Sequence, residues 1–143
     1  MTIPEIKSRF ESVRIKYKEY LLVKEKADQF REMISVPAVA DMSDRVKSDK
    51  GENITENKLI ALLWYSEQAD RLFQDYMILR TEAEVTIAFV KLPDEREVLT
   101  RRYIMYQKWE TIAEIMHYSR QHITRIHDNA LKHVLECYIT PVI

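Results

Sequence analysis

The chain has 143 residues, with Lys plus Arg at 22, Asp plus Glu at 23 and a formal net charge of −1. A near-neutral chain is not held on DNA by bulk charge, which excludes a histone-like mode but leaves room for a local basic face. One cysteine, Cys137, excludes an internal disulfide framework and fits a reducing cytoplasm. No signal peptide is evident, and no apolar run reaches the ~18 residues needed to span a membrane.

A single glycine, Gly51, amid abundant Leu, Ile, Glu, Lys and Arg predicts an all-α fold. Thr2 and Glu5 have capping-box spacing, so a helix is expected from Ile3. Ile3, Ile6, Phe10, Val13, Tyr17 and Tyr20 recur at steps of three and four, and Lys24, Ala27, Arg31 and Ile34 continue the register. This is a heptad stripe, clean in its first half. It should end near Ser35, because Pro37 disfavours helical geometry in the residue before it. Residues 36–54, "VPAVADMSDRVKSDKGENI", read as a connector.

A second helix is expected from Asn53 or Thr55, with Asn53 and Glu56 at cap spacing. Leu59, Leu62, Ala69, Phe73, Tyr76, Ala83, Ile87 and Val90 carry its stripe to about Lys91. Two long striped helices pair either within one chain, as a hairpin, or with a second chain, as a coiled coil. Leu63, Trp64 and Met77 widen the apolar face, which favours a bundle of three or four helices over a bare two-stranded coil.

Pro93 interrupts the run, and Asp94 with Glu97 offers a third capping box. Val98, Leu99, Tyr103 and Ile104 are the expected buried side of the helix that follows. After the turn "MYQK" comes "WETIAEIM", apolar at Ile112, Ala113, Ile115 and Met116. "HYS" turns the chain, and Ser119 should cap a last helix with the inner stripe Ile123, Ile126, Ala130 and Leu131. Short helix, three-residue turn and longer polar helix form a helix-turn-helix. Small Ala113 lets the two helices cross closely. Arg120, Gln121, His122, Thr124 and Arg125 face outward at the N-terminal part of the last helix, the part such motifs insert into the major groove of double-stranded DNA. Arg gives a bidentate bond to guanine, Gln one to adenine, and Thr meets a thymine methyl. The organisation expected is therefore a helical oligomerisation or partner module over residues 1–91 and a helix-turn-helix domain of three to four helices over residues 92–143.

Other chemistries find little support. Among His117, His122, His127, His133 and Cys137 only His133 and Cys137 have i, i+4 spacing, and a structural zinc takes four ligands. His127 reads as a packing or inter-helix hydrogen-bonding group. Trp109 either stacks on a sugar-phosphate backbone or plugs the edge of the core. Glu110 and Glu114 lie on a solvent face without a His or Ser partner, and no phosphate loop or nucleophile elbow is present. No enzyme, cofactor, metal, membrane or small-molecule substrate is expected.

Residues 92–134 resemble region 4 of bacterial sigma factors. The resemblance rests on Arg96, Leu99, Arg102-Tyr103, Ile112-Ala113, Ser119, Ile123, Ile126 and Ala130-Leu131. It implies that Arg120, Gln121, His122 and Arg125 read the minus-thirty-five promoter element, while Lys108 and Trp109 lie along the DNA backbone. Where that family usually carries glycine, before the helix pair and in its turn, this chain has Tyr106-Gln107 and His117-Tyr118. No segment resembles the parts of a sigma factor that melt promoters or bind the body of polymerase. The ending from Trp109 to Leu131, with Tyr118, Arg125 and His127, is also similar to phage and prophage regulators of late transcription of the ArpU and RinA kind. These resemblances imply a phage- or prophage-encoded transcription regulator with RNA polymerase as a further partner. The near-zero net charge, which gives little non-specific affinity, adds the expectation of a homodimer through the N-terminal helices. A small terminase-like DNA-packaging subunit, or a protein–protein adaptor to RNA polymerase, are the alternatives.

Overall fold

The computed structural model describes residues 1–35 and 48–139, the side chains of 35 and 48–54 excepted, and every regular element in it is helical. The elements are α1 (Ile3–Ser35), α2 (Ser48–Ala88), α3 (Pro93–Leu99), α4 (Trp109–Met116) and α5 (Arg120–Ile139). Wider π-helical turns, Thr100–Ile104, continue directly from α3.

The start of α1 follows its sequence signature. Thr2 N–H donates to Glu5 Oε2 at 2.7 Å, and Glu5 N–H donates to Thr2 Oγ1 at 3.4 Å. Two of the first-turn donors that a helix leaves without internal partners are thereby satisfied. The start of α2 differs from expectation. Ser48 already lies in the helix, so Asn53 is internal and does not cap it, and the connector reading applies only to residues 36–47, outside the described residues. Gly51 suggested a loop, but one glycine costs a helix only about 1 kcal/mol, which an element of 41 residues absorbs.

The chain forms two compact units: Met1–Lys16 together with the chain from Asp75 onward, and Tyr17–Gln74. The 91/92 division read from the sequence falls inside the first of these. In the second unit the facing segments of α1 and α2 run antiparallel. Tyr20 meets Phe73 with ring centroids 5.2 Å apart, and Phe30 stacks on Tyr65 at 5.6 Å. Ala27 and Ala69 are buried in this unit. Leu63 and Trp64 are not: they stand 58% and 55% exposed. The broader face expected from them is open, because two helices cover only one stripe of each other.

In the first unit Ile6, Phe10 and Val13 of α1 are buried, as are Tyr76, Ala83 and Ile87 of α2. Val98, Leu99, Tyr103 and Ile104 are buried as their pattern predicts. The third capping box does not form. Leu92 is the N-cap of α3 without a side-chain bond, and Pro93 takes the first helical position, where a missing N–H costs nothing. Glu97 instead binds Arg101 Nε at 2.7 Å. Arg96 reaches back to the carbonyls of Val90 and Lys91, at 2.7 and 3.0 Å, and so satisfies the turn that follows α2.

Candidate functional site

Val98, Ile112, Ala113, Ile123 and Ile126 form one buried cluster, with Trp109 and Met116 packed against it. On α4 the positions 109, 112, 113 and 116 share one face within an arc of ~100°, given 3.6 residues per turn. Ile115 falls outside that arc, and it is 42% exposed where burial was expected. Met116 fills the position instead. On α5 the buried side chains are Ile123, Ile126, His127, Ala130, Leu131 and Val134, an i, i+3, i+4, i+7 stripe that leaves the remaining faces free.

The turn between the helices is set by backbone geometry. His117 is left-handed, with φ 57° and ψ 37°. Tyr118 N–H donates to Ala113 O at 3.0 Å and His117 N–H to Glu114 O at 3.4 Å, which together close α4 as a Schellman motif. Then α5 begins. Ser119 Oγ accepts from His122 N–H at 3.1 Å, and Ser119 O accepts from Ile123 N–H at 3.0 Å. The turn ahead of α4 contains the other left-handed residue, Tyr106, with φ 58°. Among the described residues, the two non-glycine residues with positive φ thus lie in the two turns where the sigma-factor pattern usually has glycine. A side chain in this conformation costs roughly 1–2 kcal/mol, so the geometry is kept against a local penalty.

Arg120, Gln121, His122, Thr124 and Arg125 are all exposed, on the first two turns of α5. Ser119 and Lys108 are exposed as well. Arg120 Nη1 lies 3.1 Å from Glu110 Oε1 on α4, and both side chains are well exposed. Such a pair contributes about 0–1 kcal/mol and exchanges readily for another partner. Thr124 Oγ1 donates to Arg120 O at 3.0 Å, which directs its hydroxyl inward and leaves its methyl available. Trp109 is half-buried. Its ring meets His127 edge-on at 4.8 Å, and the Arg102 guanidinium lies 4.5 Å from its centroid. Arg102 also donates to Gln107 O at 3.1 Å. Tyr118, which the sequence marks only as part of a family pattern and not as a site residue, touches this face: its hydroxyl donates to Asp94 Oδ2 at 2.8 Å, and its ring meets the His122 ring at 4.6 Å. The bond to Asp94 holds the Tyr118 phenol above its ordinary pKa, so the group remains a donor.

Beneath the exposed face a polar network locks α5 to its supports. His127 is buried and Nε2 lies 2.7 Å from Tyr103 Oη, while Nδ1 faces Asp128 Oδ1 at 3.4 Å. Burial lowers the His127 pKa and raises that of Tyr103, so both are neutral near pH 7. The tautomer protonated at Nδ1 satisfies both contacts, with Tyr103 donating to Nε2. Phe10 stacks on Tyr103 at 5.1 Å. Further along α5, His133 Nδ1 lies 2.7 Å from Oε2 of Glu95, a buried side chain of α3. A buried carboxyl needs such a partner.

Among the described residues no group of three or more His, Cys, Asp or Glu side chains is placed to hold a metal ion, and no helix is long and apolar enough to cross a membrane. No curated protein and no solved structure matches the chain. Residues 90–135, less than half of the chain, match the family described as Sigma-70, region 4, and this segment comprises the end of α2's turn, α3, α4 and most of α5.

Proposed function

We propose that the chain is a sequence-specific DNA-binding transcription regulator, encoded by a phage or prophage, that reads the major groove with the N-terminal turns of α5. The observation that carries this reading is the capped start of α5. Five exposed polar side chains, Arg120, Gln121, His122, Thr124 and Arg125, stand there over a buried stripe that fixes the helix. The match of residues 90–135 to sigma region 4 supports it. In this reading those five side chains address base edges, while Lys108 and Trp109 lie along the backbone and Ser119 caps the helix. Arg120 exchanges Glu110 for a base, a substitution that costs little because the pair is exposed.

The cations of this face are few. Lys108, Arg120 and Arg125 are accompanied by Glu110 and Glu114, so counterion release supplies little non-specific affinity. Useful occupancy then calls for a second chain or for RNA polymerase. The exposed apolar side chains of the unit Tyr17–Gln74 support pairing with a second copy, and the region 4 likeness supports a contact with polymerase. The similarity from Trp109 to Leu131 to phage regulators of late transcription supports the phage origin.

The test is binding to a duplex enriched from a random-sequence pool by the wild-type protein. Arg120→Ala and Arg125→Ala are each expected to weaken it by roughly 1–3 kcal/mol, with thermal unfolding unchanged. Wild-type affinity in both variants would remove α5 from the groove.

A further inference from the structure

Tyr118 belongs to the turn, not to the exposed face of α5, yet three separate contacts converge on it. Its backbone N–H closes α4 on Ala113 O at 3.0 Å. Its hydroxyl reaches out of the helix-turn-helix to Asp94 Oδ2 at 2.8 Å, in the first turn of α3. Its ring stands nearly perpendicular to that of His122, at 81° with centroids 4.6 Å apart. The backbone of His122 is already fixed, since its N–H donates to Ser119 Oγ at 3.1 Å. The side chain is exposed, and exposed side chains ordinarily sample several rotamers. An aromatic neighbour tethered at both ends restricts that freedom before any ligand arrives. Preorganisation of this kind improves discrimination, because a recognition group held in place loses less entropy on binding and tolerates a misplaced partner less well.

We infer that Tyr118, anchored by Asp94, is a positioning residue that sets the His122 ring for base recognition. This rests on the proposed reading of DNA by α5. Tyr118 itself touches no base in this arrangement. It acts through His122, and α3 thereby contributes to specificity without reaching the groove.

The experiment has two arms on the full chain. In the free protein, ring currents from Tyr118 displace the His122 imidazole proton resonances. These should move most in Tyr118→Ala, and broaden or shift partly in both Tyr118→Phe and Asp94→Ala, each of which removes the hydrogen bond between the two residues. Unmoved His122 resonances in Tyr118→Ala overturn the inference whether or not the protein binds DNA. In the second arm the probes are the enriched duplex and a mixed-sequence duplex. A single base contact is worth roughly 5- to 150-fold, and loss of its positioning should lower the affinity ratio between the two probes by about 3- to 10-fold in Tyr118→Ala. Tyr118→Phe, which keeps the ring but loses the bond to Asp94, should lose an intermediate part of the ratio, as should Asp94→Ala. The double variant Tyr118→Ala/His122→Ala should lose no more than His122→Ala alone, because residues acting as one unit are non-additive. Additive losses, or an unchanged ratio in Tyr118→Ala, overturn the inference. A wild-type protein that fails to discriminate the duplexes overturns the DNA reading itself, and the first arm then shows separately whether the contact exists.

Discussion

The cluster beneath α4 and α5 encloses its apolar side chains on every side: Ile112 and Ile123 are fully buried, and the polar atoms beside them find partners across helices. The unit Tyr17–Gln74 has a comparable supply of apolar residues and leaves Leu21, Leu22, Leu59, Leu63 and Trp64 exposed. The difference is geometric. Three helices surround a shared interior, whereas two antiparallel helices protect a single strip each and turn the rest outward. Composition alone does not separate the two cases. A wide apolar face belongs to a core only if a third element is present to meet it.

The comparison can be broken most decisively at Ile123, which is 0% exposed under the exposed face of α5. Ile123→Ala should cost about 2–5 kcal/mol by denaturant titration, and a loss under 1 kcal/mol would mean that this core is no tighter than the two-helix unit. A second perturbation is pH. Burial depresses the His127 pKa, so the folded state resists protonation more than the unfolded chain does. Stability from this source is present above the ordinary histidine value of about 6.5 and is lost as pH falls through the lower folded value. The melting temperature should therefore drop on acidification below that point, and the drop should shrink in His127→Gln, which retains an acceptor for Tyr103. An identical pH profile in that variant would assign the acid sensitivity elsewhere.

Smaller effects sharpen the contrast. His117→Gly removes a side chain from a left-handed position at an exposed site, and it should stabilise the protein by roughly 0.5–1 kcal/mol. Destabilisation would show that the imidazole makes a contact of its own. Trp64→Ala should change the unfolding free energy by under about 1 kcal/mol in a single chain, as for other surface sites. A larger loss that grows with protein concentration would instead show the indole covered by a second copy.

Much of the fold was legible in the residues. The Thr2–Glu5 box, the buried stripe of α5 and the all-helical composition are local signals, and periodicity or cap spacing captures them directly. What escaped was of another kind. The Asp94–Glu97 box failed because Pro93 took the start of α3 and Glu97 had Arg101 one turn away. Ile115 was assigned to the core because eight residues are too few to define a face by pattern, and only the partner helix selects one. The pairs Glu95–His133, Asp94–Tyr118 and Glu110–Arg120 join positions from different elements of the fold. No spacing rule connects such residues until crossing angles are known. At the candidate site the outward residues of α5 could be named in advance from helical periodicity, while the neighbours that tether or shield them could not.

The turns on either side of α4 carry a consequence for how such domains are recognised. Tyr106 and His117 hold the torsions that glycine would adopt most cheaply. A motif search that insists on glycine there discards chains whose backbones follow the same path with bulkier residues, and relatives of this domain are better sought through their dihedral signature than through their letters.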